Sequence, residues 1–122
     1  MIALRRIFIS LTLLATIAGA NASGTFVSAQ GKSVNGNVAI TQTEAGRVLK
    51  LINFSSSNGP DLKVYLATDK AASDFVSLGE LKSFSGNQNY VVPDHVDLSN
   101  YSKVLIWCEQ FSVLFGTADL SL

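Results

Sequence analysis

The sequence has few side chains able to do redox, acid–base or metal chemistry. It contains one cysteine, Cys108, one histidine, His95, and one tryptophan, Trp107. A single cysteine excludes an internal disulfide. One Cys and one His in a chain are also too few for an iron–sulfur cluster, a blue-copper centre or a structural zinc site. Cys108 and His95 remain as candidate axial ligands of a non-covalently bound haem.

Cys108 has two interpretations. Alternation along its predicted strand places Val104, Ile106 and Cys108 on one face and Leu105 and Trp107 on the other. Free cysteines are often small buried apolar residues, which is the first interpretation. Because polar residues follow the strand directly, the second interpretation puts the sulfur near the rim of the fold, where it acts as a redox thiol.

A reactive thiol needs a positive charge or a base close to it. His95 is the one side chain able to act as a base near neutral pH. Its surroundings, Pro93-Asp94-His95, predict a loop at a strand end, where an exposed histidine without a chemical role is the simpler interpretation. A Cys108–His95 nucleophilic pair stays open as an alternative, without a local motif behind it.

Two further sets of residues have weaker patterns. Three aspartates in predicted turns either offer oxygen ligands to calcium or simply form the turns; these are Asp61, Asp94 and Asp97. Four aromatic residues either form a sugar-stacking surface or pack the core; these are Tyr65, Tyr90, Tyr101 and Trp107.

The first 22 residues predict a secretory signal peptide. Arg5 and Arg6 precede an apolar run over 7–19, and Ala20-Asn21-Ala22 forms a cleavage pattern of small residues. The predicted mature chain is 23–122, secreted or periplasmic. It has no apolar stretch near the roughly 20 residues that a membrane-spanning helix needs.

The predicted mature chain has seven Lys and Arg against nine Asp and Glu, a net charge of −2. This balance provides no basic surface for nucleic acid. Short runs rich in β-formers, separated by turn residues, predict one all-β domain: a β-sandwich or barrel-like fold of mostly antiparallel strands. The predicted strands cover 38–41, 47–54, 63–66, 76–81, 89–92, 104–108, 111–115 and 118–122.

Several segments together resemble the DM-thirteen domain, an extracytoplasmic domain often found beside DOMON domains. The most specific are Asn58-Gly59-Pro60-Asp61-Leu62-Lys63-Val64-Tyr65-Leu66 and Ile106-Trp107-Cys108, and the similarity extends over 24–120. The resemblance implies a β-rich fold and a role in electron transfer or oxidative modification at the cell surface. The family's cysteine, proposed to act as a bare thiol or as a haem ligand, corresponds to Cys108.

Two functions are therefore expected. The first is an exported redox module in which Cys108 is a thiol redox centre or a haem ligand, with His95 as a second possible ligand. Such a module would act as a component beside an unknown redox partner protein rather than as a standalone enzyme. The alternative is a non-enzymatic extracytoplasmic module that binds a cell-surface ligand or mediates adhesion, with Cys108 as a structural core residue.

Overall fold

The computed structural model describes residues 20–122, and most of the predicted signal peptide lies outside them. The described part consists of eight strands joined by turns and contains no helix long and apolar enough to cross a membrane. The strands are β1 (Ala20–Ser28), β2 (Val34–Thr43), β3 (Gly46–Ser56), β4 (Leu62–Ala67), β5 (Phe75–Glu80), β6 (Gln88–Val92), β7 (Lys103–Cys108) and β8 (Val113–Asp119).

The eight strands form one antiparallel sheet in the order β5-β4-β7-β8-β1-β2-β3-β6. The first half of β1 pairs with β2 and its second half with β8, so the sheet folds over on itself. The edge strands β5 and β6 approach each other, and the backbone N–H of Lys82 donates to the Tyr90 hydroxyl across the seam. The result is a nearly closed barrel, and the predicted all-β fold is confirmed.

The core lies between the two halves of the folded sheet. The alternating side chains that β2, β3, β4 and β7 direct inward are fully buried; they include Val34, Val38, Ile40, Leu49, Leu51, Val64, Leu66, Val104 and Ile106. Phe26 and Phe54 meet edge to face, with ring centroids 5.6 Å apart. Each fully buried aliphatic side chain of this kind contributes about 1.5–3 kcal/mol to folding.

The C-terminal region differs from the sequence-based prediction. Instead of two strands interrupted at Gly116, a single β8 passes through that residue. Gly116 lies against Val34, and a Cβ atom at this position would be 2.6 Å from the Val34 Cβ. The glycine therefore permits close packing and is not a strand break. Leu122 is 71% exposed, so the predicted inward face of the last strand ends at Leu120.

The N-terminal strand was not predicted. β1 begins at Ala20, and Ala22 is 2% exposed within the core. The predicted cleavage point after Ala22 therefore falls inside β1. The part of the strand that would follow such a cleavage starts at Ser23, which pairs with Ala39 and forms a bridge with Ser121.

Candidate functional site

Cys108 is the last residue of β7, and its side chain is 1% exposed. It pairs with Leu62 on β4 and with Val113 on β8, and it belongs to the main hydrophobic cluster with Val104 and Ile106. The predicted face and the predicted position at the strand end are confirmed. Of the two interpretations of Cys108, the buried core residue is confirmed and the sulfur at the rim is wrong, because the inward direction of the side chain encloses it in the core.

His95 lies in the turn that follows β6, and its side chain is exposed. The neighbouring backbone is held by Arg47, whose guanidinium donates to the carbonyl oxygens of Pro93, Asp94 and Val96 at 2.7, 3.0 and 2.9 Å. The predicted loop at a strand end is confirmed. Arginine contacts of this kind fix the backbone of the turn rather than the imidazole.

Cys108 and His95 lie at opposite ends of the barrel. The turn of His95 is at the end of the barrel where β7 begins. Arg47 pairs with Val92 next to this turn. Across the sheet at the same end, Ala20 pairs with Thr41 and Ser23 pairs with Ser121. β7 then runs five residues to Cys108, a length of about 17 Å at the usual rise of a strand. The candidate Cys108–His95 pair is therefore not formed.

The same geometry bears on haem. Two axial ligands of one iron must face each other across a porphyrin, whereas these two residues are separated by the length of the barrel. Cys108 alone is packed among aliphatic side chains, and it does not line the surface groove around Gly59 and Phe84 or the one around Trp107. The described residues do not fit a haem held through Cys108 and His95.

The candidate calcium ligands are also not brought together. Asp61 begins the approach to β4 at the Cys108 end, whereas Asp94 and Asp97 lie in the turn region near His95. Asp97 accepts hydrogen bonds from the backbone N–H and the hydroxyl of Ser99, which lower its pKa. Within residues 20–122, no cluster of three or more His, Cys, Asp or Glu is placed to hold a metal ion.

The outer face of β5, β4 and β7 carries a second feature, which we term the aromatic groove. It is lined by Tyr65, Ala71, Ala72, Phe75, Trp107, Glu109 and Ser112. The Tyr65 and Phe75 rings stack with centroids 4.1 Å apart at 11°, and the Tyr65 and Trp107 centroids are 6.2 Å apart at 25°. Three rings thus stand in a row across three neighbouring strands.

The aromatic groove contains two of the four aromatic residues that the sequence offered as a sugar-stacking surface. Tyr65 and Trp107 come together there, but Tyr90 is buried in the core and the Tyr101 hydroxyl bonds the Asp74 carboxylate. Phe75 was missed, because a lone aromatic residue in a polar stretch gave no periodic signal. Phe75 joins the groove because the register of the β4–β5 hairpin pairs it with the end of β4, and this register would have been needed to predict its place.

A charged cluster borders one end of the groove. The ammonium group of Lys63 bonds the carboxylates of Asp61, at 2.9 Å, and Glu109. These two acceptors raise the pKa of Lys63, so it stays cationic. Burial and the nearby Glu109 carboxylate raise the pKa of Tyr65, so its hydroxyl stays protonated. The cluster combines two carboxylates with one ammonium group and carries a net negative charge.

Comparison with known protein families gives one match. The model described as Electron transfer DM13 matches residues 25–120, which is nearly all of the described barrel. The chain belongs to the DM13 electron transfer family. This membership indicates a redox-related role for the protein and confirms the resemblance seen in the sequence. No curated protein and no solved structure was found that matches the chain.

Proposed function

We propose that this DM13 protein is an exported redox component whose reacting group is the thiol of Cys108. The observation that carries the proposal is the electron transfer family match together with the presence of a single cysteine in the chain. The closed structure adds a requirement. Because the Cys108 side chain is buried, the thiol reacts only when the end of the barrel around it opens.

The position of Cys108 limits how much must open. It is the last paired residue before the exposed turn at 109–112, and its partner Val113 is the first residue of β8. Ser112 has a positive φ of 53°, an unfavourable conformation for a residue with a side chain. Separation of this turn and the adjoining strand ends would expose the sulfur without dissolving the rest of the core.

The proposed reaction is thiol–disulfide exchange with a disulfide-bearing partner protein. The Cys108 thiolate attacks one partner sulfur, a new S–S bond forms, and the partner's own S–S bond breaks. The departing sulfur takes up a proton, so that Cys108 is oxidised and the partner's disulfide is reduced. Because the chain has no second cysteine, a thiol of a second molecule must resolve the mixed disulfide; it forms a new S–S bond with the partner sulfur, and Cys108 leaves as the thiol. This makes the protein a component and not a standalone enzyme.

The test is the reaction of Cys108 with an aromatic disulfide reagent, 5,5′-dithiobis(2-nitrobenzoate), across a series of urea concentrations. We expect labelling about 10³-fold or more slower than in the unfolded chain, with a rate that changes little at low urea, because local opening exposes little surface. A single mixed disulfide by intact mass, absent in Cys108→Ala, is the matched control. Labelling that follows global unfolding at all urea concentrations would overturn the proposal.

The alternative is a non-enzymatic binding module in which Cys108 is a core side chain. The observation that favours it is the 1% exposure of Cys108 among the aliphatic residues of the main cluster. Here Cys108→Ala would leave partner binding unchanged, and labelling would require global unfolding. The urea series therefore separates the two functions in one experiment.

We also propose that the protein acts outside the cytoplasm after removal of residues 1–22. The support is the basic, apolar and small-residue pattern of the N-terminus. Intact mass of the protein produced in an exporting host should give a chain beginning at Ser23. A mass that retains the apolar run over 7–19 would contradict export by cleavage at this site.

A further inference from the structure

We infer that the aromatic groove binds a basic segment of a partner protein, with an Arg or Lys side chain over the Trp107 ring. The inference does not depend on the chemistry of Cys108. It rests on three independent features of the described residues: the row of aromatic rings, an unpartnered hydroxyl, and the distribution of charge around the groove.

The rings provide the first feature. Trp107 is partly exposed and Phe75 is 42% exposed, so the groove presents aromatic surface to solvent between the turn at Ala71 and Ala72 and the turn at Glu109. Cations held within about 6 Å of an aromatic ring centroid are attracted by the ring quadrupole, and tryptophan gives the strongest attraction. Trp and Tyr are also enriched in protein interfaces.

The Tyr65 hydroxyl provides the second feature. The residue is 2% exposed, lines the groove and lies near the Glu109 carboxylate. Among residues 20–122 no side chain or backbone group hydrogen-bonds to this hydroxyl, and its oxygen is not among the buried polar atoms shut off from solvent. A nearly buried tyrosine usually has a partner for its hydroxyl. An incoming N–H group would supply one.

The third feature is charge. Glu109 is the one charged side chain among the residues that line the groove. Asp61 lies beside it on the Lys63 ammonium group, and Asp69 belongs to the turn of Ala71 and Ala72. Asp69 accepts backbone N–H groups from its own turn, which lowers its pKa and keeps it ionised. Such a distribution favours an approaching cation over a neutral or acidic ligand.

The shape of the groove favours a segment with several charges over a single small cation. The groove is lined from three neighbouring strands and two turns, and β5 is an edge strand beside it. Acidic groups lie at both of its ends, with Asp61 and Glu109 on one side and the turn of Asp69 on the other. A peptide segment with repeated basic residues can place a cation beside the acidic groups at both ends of the groove at the same time.

The test uses the single tryptophan as its reporter. The purified protein is titrated at low ionic strength with acetyl-(Gly-Arg)₄-amide, and Trp107 fluorescence and backbone ¹⁵N shifts are recorded. We expect a saturable fluorescence change and shifts confined to the groove. The matched peptide with citrulline in place of each arginine should bind about tenfold or more weakly, because it retains the shape but lacks the charge.

Variants locate the site. Glu109→Gln should weaken binding of the arginine peptide about three- to fivefold, as expected for an exposed charge. Tyr65→Phe should also weaken it, and Trp107→Leu, followed by calorimetry, should weaken it about tenfold or more. The control is Glu44→Gln, an acid in the β2–β3 turn at the other end of the barrel, which should change affinity by less than about twofold.

Three outcomes would overturn the inference. The first is equal affinity for the arginine and citrulline peptides, and the second is an equal effect of Glu109→Gln and Glu44→Gln. The third is binding of maltohexaose, a neutral saccharide, in the groove with no binding of the arginine peptide. Tyr65→Phe and Glu109→Gln each remove only a polar group, so the site can be tested even if Trp107→Leu is unstable.

Discussion

The two faces of β7 present opposite environments for Cys108 and Trp107, two residue types that each occur once in the chain. On the inner face, Cys108 and its neighbours Val104 and Ile106 are at most 1% exposed. On the outer face, Trp107 is partly exposed in the aromatic groove, beside Tyr65. Adjacent residues thus differ in access because a strand directs successive side chains to opposite sides. The thiol needs an opening before it can react, whereas the indole can meet a partner directly.

The largest effect should follow from changes on the inner face. Ile106→Ala removes a fully buried side chain and should lower the free energy of unfolding by about 2–5 kcal/mol. Trp107→Leu retains an apolar side chain at a partly solvated position and should be less destabilising. Urea unfolding followed by circular dichroism measures both. Equal losses for the two variants would contradict the contrast between a closed face and an open one.

Close packing of the inner side can be tested at Gly116, which pairs with Ile106 across the sheet. Gly116→Ala would place a Cβ 2.6 Å from the Val34 Cβ and should destabilise the protein by about 1–3 kcal/mol. The control is the double variant with Val34→Gly, which removes the Val34 Cβ and both of its methyl carbons. Its loss should be smaller than the sum of the two single losses. Additive losses would show that Val34 is not the obstacle.

The exclusion of water from the inner face can be tested at Cys108 itself. Cys108→Ser places a hydroxyl among aliphatic side chains and should cost about 1–3 kcal/mol if that hydroxyl finds no partner. Cys108→Ala introduces no polar group and should cost less. The comparison uses equilibrium unfolding of both variants. Serine tolerated as well as alanine would indicate that the sulfur already contacts water.

Much of the barrel could be predicted from local patterns. The alternation of Val104, Ile106 and Cys108 against Trp107 gave the correct faces of β7, because the period of a strand is fixed by backbone geometry. An interruption after Cys108 was expected from the polar residues there, but the turn covers 109–112 and includes Phe111 and Ser112, which the sequence placed in a strand. The family was recognisable from the same sequence segments that form β4 and β7.

What the sequence could not provide were the relations between distant segments. The separation of Cys108 from His95 depends on the strand order of the whole sheet, which no local pattern encodes. The break predicted at Gly116 was wrong because the need for a glycine arises from Val34, which is far away in the sequence. Phe75 joins the groove only through the register of the β4–β5 hairpin. Each of these is a tertiary effect.

The smallest effect should come from the charged cluster beside the groove. Asp61 and Glu109 raise the pKa of Lys63 in the folded protein above its value of 10.5 in the unfolded chain. The folded state therefore holds this proton more tightly. The resulting stabilisation is fully present below about pH 10 and is lost as the pH rises through the raised pKa. Because the cluster is near the surface, added salt should reduce the effect.

Lys63→Met tests this dependence, with Lys50→Met as the control for a lysine on the other half of the sheet. Urea midpoints measured between pH 8 and pH 11 should fall more steeply in the native sequence than in Lys63→Met, at low salt. Raised tyrosine pKa values, including that of Tyr65, produce a decline of the same sign in all variants, so only the difference between the curves reports Lys63. If the urea midpoint depended on pH identically in the native sequence and in Lys63→Met, Lys63 would be paired as strongly in the unfolded chain as in the folded protein. The cluster would then shape the charge of the outer face without stabilising the barrel.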